Sequence, residues 1–353
     1  MSATETLLKT SDFTFDLPRE LIAQTPLPKR DASRLMLLDR HSGERKHKRF
    51  TDLPDMLSPG DCLVLNDSRV LPARLHGTTG TGAAAEVLLL RDEGQGVWAC
   101  LTKPGKKTRL GTRLTFGEGS PEGALEGRVE EERADGVRAV RFSSEGKFEF
   151  PQLLERLGEM PLPPYIVKRL DDPGRYQTVY ANQPGSAAAP TAGLHFTREL
   201  LCRLRDKGIQ IAYITLHVGL GTFRPVKSEL LSEHRMHAEY ASIPADSAAA
   251  VNGARDGGGR VIAVGTTVCR TLESFSDDGG RLSERAGYTD IFITPGYRFR
   301  AMDALLTNFH LPRSTLLMLV SAFAGRDRIL DAYREAVEMK YRFFSFGDAM
   351  LII

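Results

Sequence analysis

The chain is short of the residues and patterns that mark several common protein classes. Among 353 residues there are four cysteines, Cys62, Cys100, Cys202 and Cys269, far apart and without a CxxC pair. That spacing argues against a zinc ribbon or a disulfide scaffold and fits free thiols in a reducing compartment. The longest apolar run near the end, from Leu316 to Ala324, falls short of the ~20 residues that cross a bilayer and reads as a buried helix. The first residues, MSATETLLKTSDF, hold neither a long apolar stretch nor a basic leader. No signal peptide and no membrane association are expected, and a cytoplasmic location is predicted. Net charge is only +2, so any nucleic-acid contact must be a local patch. GxxxxGK[ST], GxSxG and a Rossmann GxGxxG at the start of a βαβ unit are all missing, which disfavours ATP-driven chemistry, serine hydrolysis and ordinary dinucleotide redox.

What is present reads as an α/β protein. Apolar runs at Arg34–Asp39, Asp61–Leu65, Ile209–Val218, Val261–Val264, Asp290–Thr294 and Ala349–Ile353 predict strands, alternating with helices over the second half. Thr197 is placed to N-cap a helix from Arg198 to Lys207, with Gly208 as its stop. The alternation predicts a mostly parallel sheet covered by helices on both faces, a three-layer core. Between Pro72 and Phe150 the texture changes to six short alternating runs separated by glycine-rich turns. These predict a small antiparallel β-barrel over 73–150, inserted into a discontinuous core of 1–72 and 151–353.

The densest group of reactive side chains lies between Ile214 and Tyr240. An apolar strand feeds the loop Gly219-Leu-Gly-Thr222, and Glu233, His234, Arg235, His237 and Glu239 follow. Glycines at a strand end let backbone approach a ligand closely, which makes Gly219 and Gly221 binding candidates. Imidazole and carboxylate groups serve proton transfer near neutral pH. Extended backbone from Ala238 to Ile243 would put His237 and Glu239 on one face. A zinc or iron site built from His234, His237 and Glu239 is the alternative, but HExxH spacing is missing, so no metal is expected.

Other strand ends carry polar groups too. Asn66-Asp67-Ser68-Arg69 follows a continuous apolar strand, where ligands of α/β sheets sit. Gly265-Thr266-Thr267 opens a helix, suited to a carboxylate, phosphate or ribose hydroxyl, or simply to capping. Asn308 and His310 sit in a polar turn ahead of an apolar helix and suit a base edge or a polar ligand tail. In the inserted segment Lys103, Lys106, Lys107, Arg109 and Arg113 stand in a stretch free of acidic residues, together with Trp98, the single tryptophan. That hairpin is either an RNA-contacting surface or a plain solvated turn. Arg40–Arg49, with five Lys or Arg against one Glu, reads as a solvated hairpin edge.

Several long blocks, in order, resemble the S-adenosylmethionine:tRNA ribosyltransferase-isomerase family of queuosine biosynthesis. They include Asn66-Asp-Ser-Arg-Val-Leu-Pro-Ala-Arg74, Pro190-Thr-Ala-Gly-Leu-His-Phe-Thr197, Thr215-Leu-His-Val-Gly-Leu-Gly-Thr-Phe-Arg-Pro-Val226 and Glu233-His-Arg-Met-His-Ala-Glu239. Val264-Gly-Thr-Thr267, Thr307-Asn-Phe-His-Leu-Pro-Arg-Ser-Thr-Leu-Leu-Met-Leu-Val-Ser-Ala-Phe-Ala-Gly325 and Tyr341-Arg-Phe-Phe-Ser-Phe-Gly-Asp-Ala-Met-Leu351 belong to the same pattern. The resemblance spans the chain from about Phe13 onward and is weakest in the inserted segment.

The resemblance implies an α/β core with an inserted barrel. It implies S-adenosylmethionine as a substrate, not a cofactor, whose ribosyl part is transferred and isomerised. The acceptor would be 7-aminomethyl-7-deazaguanine (preQ1) at the wobble position of tRNA, and the products epoxyqueuosine in tRNA, adenine and methionine. The sulfonium acidifies the C5′ protons, so a modest base suffices, and an acid helps adenine leave. His237 and Glu239 are the expected proton-transfer pair, with His234 and His217 in reserve. Asp67 and Arg69 are expected to hold ribose or carboxylate groups, and Thr266 and Thr267 the methionine carboxylate. A metallohydrolase and a non-catalytic RNA-binding module are the competing readings.

Overall fold

The computed structural model describes residues 8–117, 119, 123–144, 148–168, 170–219, 226 and 228–353. It divides into two compact units: one holds residues 8–68, 164–182 and 189–353, and the other Arg69–Pro163 with Gln183–Ala188.

The first unit is built on a nine-stranded sheet. Its order is Arg285–Thr289, Glu239–Ile243, Gln210–Leu216, Cys62–Asn66, Val261–Val264, Ala304–Asn308, Ala349–Ile352, Arg34–Leu38, Arg45–Arg49. The parallel arrangement holds at the centre, where Gln210–Leu216, Cys62–Asn66, Val261–Val264 and Ala304–Asn308 run together. Antiparallel pairings toward both edges make the whole sheet mixed. Central strands are buried on both faces, which is why they read as continuous apolar runs. Leu63 and Leu65 pack with Leu200, Leu201 and Leu204 of the helix Arg198–Asp206. By strand alternation Cys62 and Val64 point to the opposite face, and they are equally buried. Thr197 caps that helix by accepting a hydrogen bond from Leu200 N at 3.1 Å.

The structure departs from the sequence reading in three elements. Asp290–Thr294 is not a strand; the strand lies just before it, at Arg285–Thr289. It is an edge strand with one buried residue, so it carries little apolar signal. Ala304–Asn308, only five residues long and fully buried, supplies a central strand that the sequence reading folded into a polar turn. Ala245–Asp256 is a helix rich in alanine, whose small side chains leave a weak amphipathic pattern but favour helix intrinsically. The basic strand Arg45–Arg49 forms one edge of the sheet, its last four residues exposed. Charged side chains there deter edge-to-edge pairing.

The second unit is a closed six-stranded antiparallel barrel of Arg74–Thr79, Ala84–Asp92, Val97–Lys103, Arg113–Phe116, Leu125–Glu132 and Val137–Ser144. Closure comes from the pairing of Arg74–Thr79 with Arg113–Phe116. Gly77 makes that approach possible, since a Cβ there would lie 2.2 Å from Thr115 O. Alternate residues such as Leu125 and Val129 point into the barrel core, while Glu126 and Arg128 face outward. Leu153 and Leu154, from the helix Phe150–Leu157, join the same apolar cluster. Among the described residues no helix is long and apolar enough to cross a membrane.

Candidate active site

The four parallel strands of the core end on one edge of the sheet, and the next residues of each carry polar groups. Ligands of open α/β sheets bind outside such carboxyl ends. Here the edge opens into a pocket lined by Thr191, Val218, Thr266, Thr267, Asn308 and His310 among others.

Asn66 ties these strand ends together. Its Nδ2 donates to Leu216 O at 3.0 Å and to Thr267 Oγ1 at 3.3 Å. Its Oδ1 accepts from the N–H groups of Leu216 and Ser68, at 3.1 and 3.0 Å. Next to it, Asp67 accepts a 2.7 Å hydrogen bond from Thr215 Oγ1. Burial pushes the Asp67 carboxyl above the usual range, only partly offset by these hydrogen bonds. Gly265, with φ of 90°, turns the chain from strand into the helix Thr266–Phe275. Its N–H is already bonded to Leu306 O at 2.7 Å, while the helix's first turn faces the pocket edge through Thr266 and Thr267.

Asn308 and His310 are both buried. Thr191 Oγ1 donates to Asn308 Oδ1 at 3.1 Å, and Asn308 Nδ2 donates to His195 Nε2 at 3.0 Å. His310 shares a 3.0 Å hydrogen bond between Nε2 and Thr307 Oγ1, and its backbone N–H donates to Tyr333 Oη at 3.1 Å. Burial pulls the His310 imidazole down to about 3, so it is neutral at physiological pH.

His217 follows the strand Gln210–Leu216 directly. Its Nδ1 lies 2.8 Å from Ser68 Oγ, and its ring stacks on Tyr240 at 5.9 Å. Burial lowers its pKa, so the neutral base form prevails. Val218, the next residue, lines the pocket.

The expected pairing of His237 with Glu239 is corrected by the structure. The strand begins at Glu239, so alternation does not extend back to His237, which is exposed. Glu239 is 5% exposed, and its carboxylate accepts from Gly219 N at 2.9 Å and from Arg270 Nη1. Both carboxylate oxygens are thus engaged in holding backbone and a buried cation. Glu239 therefore holds the backbone at Gly219. His234 packs edge-on against Phe292, and burial followed by the His237 charge lowers its pKa. Gly221 lies outside the described residues.

Arg69 belongs to the barrel unit, where it is exposed and paired with Glu155 at 2.9 Å. The basic hairpin is exposed at Lys103, Lys106, Lys107 and Arg109. It is pinned from below by buried Thr108, whose hydroxyl lies 2.6 Å from Thr102 Oγ1, and by Arg138 Nε donating to Thr108 O at 3.1 Å. Among the described residues no three His, Cys, Asp or Glu side chains gather as a metal-ligand set.

Thr191, His195 and Arg270 do not stand out as site residues from sequence. A usable signal exists for His195. It is a polar ring in the small, apolar run Ala187–Phe196, and a buried polar group needs partners.

Relatives match over nearly the whole chain. The model of the family described as "Queuosine biosynthesis protein" matches residues 10–352. The S-adenosylmethionine:tRNA ribosyltransferase-isomerase of Symbiobacterium thermophilum is 58% identical over 347 residues, covering 98% of this chain and 100% of its own. The protein of the same name from Acetivibrio thermocellus is 56% identical, with 98% and 100% covered. A crystal structure of S-adenosylmethionine tRNA ribosyltransferase from Thermotoga maritima is 41% identical, with TM-score 0.56 over 97% of this chain and 100% of that one. The order of the strand-end motifs, the mixed sheet with its closed barrel and these full-length matches lead to one conclusion: the chain belongs to the queuosine biosynthesis family of S-adenosylmethionine:tRNA ribosyltransferase-isomerases.

Proposed function

We propose that the chain transfers the ribosyl part of S-adenosylmethionine to the aminomethyl group of preQ1 at the tRNA wobble position and isomerises it, releasing adenine and methionine and leaving epoxyqueuosine. One observation supports the assignment of the site: three of the four parallel strand ends and the N-terminus of the helix Thr266–Phe275 meet at one pocket.

In this reading the first turn of that helix takes the methionine carboxylate, with Thr266 and Thr267 as hydroxyl donors. Asn308 and Thr191 meet the polar groups of the ribose. His217, neutral and oriented by Ser68, removes the acidified C5′ proton. His234 or His237 protonates the leaving adenine. Glu239 holds Gly219 in place from behind, and Asp67 sets the strand end through Thr215. His310 stays neutral and fixes Thr307. The proton transfers are thus carried by side chains. Lys103, Lys106, Lys107 and Arg109 contact the RNA backbone from the barrel.

The test is adenine release from S-adenosylmethionine, measured with tRNA carrying preQ1 and with tRNA carrying guanine there. Release only with the preQ1 tRNA supports the reading. No release with either, or methyl transfer without adenine, overturns it.

A further inference from the structure

A buried line of hydrogen bonds runs behind the pocket, and the reaction as described uses only its pocket end, Asn308 and Thr191. It starts at Ser33, passes through His195 and ends at Asn308 and Thr191. Ser33, His195 and Asn308 are 1%, 5% and 2% exposed, and Thr191 is half-buried at the pocket wall. The distances are 2.8 Å from Ser33 Oγ to His195 Nδ1, 3.0 Å from His195 Nε2 to Asn308 Nδ2, and 3.1 Å from Thr191 Oγ1 to Asn308 Oδ1. His195 also stacks on Phe50, with ring centroids 4.9 Å apart.

Donor and acceptor chemistry gives this line a direction. An amide Nδ2 can only donate, so the Nε2 it meets is the bare nitrogen of the ring. The remaining proton sits on Nδ1 and goes to Ser33 Oγ. Asn308 Oδ1 then faces Thr191, whose hydroxyl proton is spent on it. The pocket is left with two marked groups: an acceptor-only oxygen at Thr191 and the second N–H of Asn308. We infer that His195 is a positioning residue that sets the amide orientation of Asn308 and so writes a donor-then-acceptor requirement into the S-adenosylmethionine pocket. Burial and the charges of Arg342 and Arg30 hold the His195 imidazole down at about 3, which keeps the bare nitrogen unprotonated.

This inference rests on the pocket assignment proposed above, and the two can fail separately. Nitrogen NMR of the intact protein with 15N-labelled histidine reads the tautomer directly. A neutral Nδ1–H ring at His195 supports the orientation; the Nε2–H form that free imidazole side chains favour overturns it. In kinetics at saturating tRNA, His195→Phe keeps the ring stack and removes both nitrogens. It is expected to raise KM for S-adenosylmethionine about tenfold, the worth of one misdirected hydrogen bond, with kcat little changed. His195→Gln, which can offer an acceptor to Asn308, is expected to recover most of that loss. Unchanged KM in folded His195→Phe, or no recovery in His195→Gln, removes the positioning role. Asn308→Ala separates the readings. If it raises KM and His195→Phe does not, positioning fails; if it leaves KM unchanged, the pocket assignment fails, and the tautomer alone decides the orientation.

Discussion

Arg270 lays its guanidinium on the Glu239 carboxylate, and both side chains are 4% exposed. Arg270 sits on the helix that begins at the pocket, while Glu239 begins the strand that leads away from the polar cluster. The remaining Glu239 oxygen holds Gly219 N. Removing one partner of a buried pair leaves an uncompensated charge, at a cost of about 3–5 kcal/mol. Glu239→Gln should therefore lower the unfolding free energy from urea titration by that order. The double variant Glu239→Gln with Arg270→Gln should recover much of it. A single variant as stable as the parent means the pair does not hold the backbone at Gly219.

The orientation of His217 makes it the base to test first. His217→Ala should lower the single-turnover rate of adenine release by about 10²-fold or more, a typical share for general-base catalysis. His237→Ala, on an exposed segment, should reduce it less. The reverse order moves proton abstraction to the stretch before Glu239.

Acid should unfold the core through its neutral histidines. His195 and His310 have pKa values of about 3, below the ordinary 6.5. Above pH 6.5 they are neutral in both states and contribute no pH dependence. As pH falls below 6.5 the unfolded chain gains their protons and the folded chain does not. Stability should drop by about 1.4 kcal/mol per pH unit for each, until about pH 3. His310→Gln should flatten the slope between pH 6 and 5 by one histidine's share in urea titrations. An unaltered slope places that proton uptake elsewhere.

The barrel hairpin offers a charge test. Lys106→Glu with Lys107→Glu should weaken tRNA binding and make the plot of log affinity against log salt shallower by about two, one unit for each phosphate that is no longer neutralised. The same slope as the parent would shift the RNA surface elsewhere, such as to the Arg45–Arg49 edge.

Gly193 stands where no side chain fits. A Cβ there would lie 2.1 Å from Tyr180 Oη and 2.8 Å from Thr178 Cγ2. Gly193→Ala should cost about 1–3 kcal/mol by overpacking and should disturb the neighbouring Thr191 and His195. A thermal midpoint equal to the parent's would mean that Tyr180 moves freely.

Local patterns make much of this fold legible in the sequence. The barrel strands announce themselves by alternation and glycine turns, six runs in the sequence pattern and six strands in the structure. The polar strand ends at Asn66, Thr266 and Asn308 are visible because apolar runs stop abruptly there. What stays hidden depends on distance along the chain. Nothing near Glu239 points to Arg270, thirty-one residues on. Nothing near Asn308 points to His195, 113 residues back. The five-residue strand Ala304–Asn308 is too short for periodicity to separate from a turn. His237 misleads because one residue decides where a strand begins, and with it which side chain is buried.

The sheet has a consequence for the order in which the molecule is made. The hairpin Arg34–Leu38 with Arg45–Arg49 joins the other strands only across Ala349–Ile352, whose residues pair Leu35 with Ala349 and Leu38 with Ile352. During synthesis that hairpin must wait, its inner edge unpaired, until a segment about three hundred residues later leaves the ribosome. Pairings of such sequence separation form slowly, and the waiting strand is open to wrong partners. The barrel, whose strands all lie between Arg74 and Ser144, has no such delay. A nascent chain stalled before residue 349 should therefore carry a finished barrel, a protease-sensitive hairpin and a strong claim on chaperones.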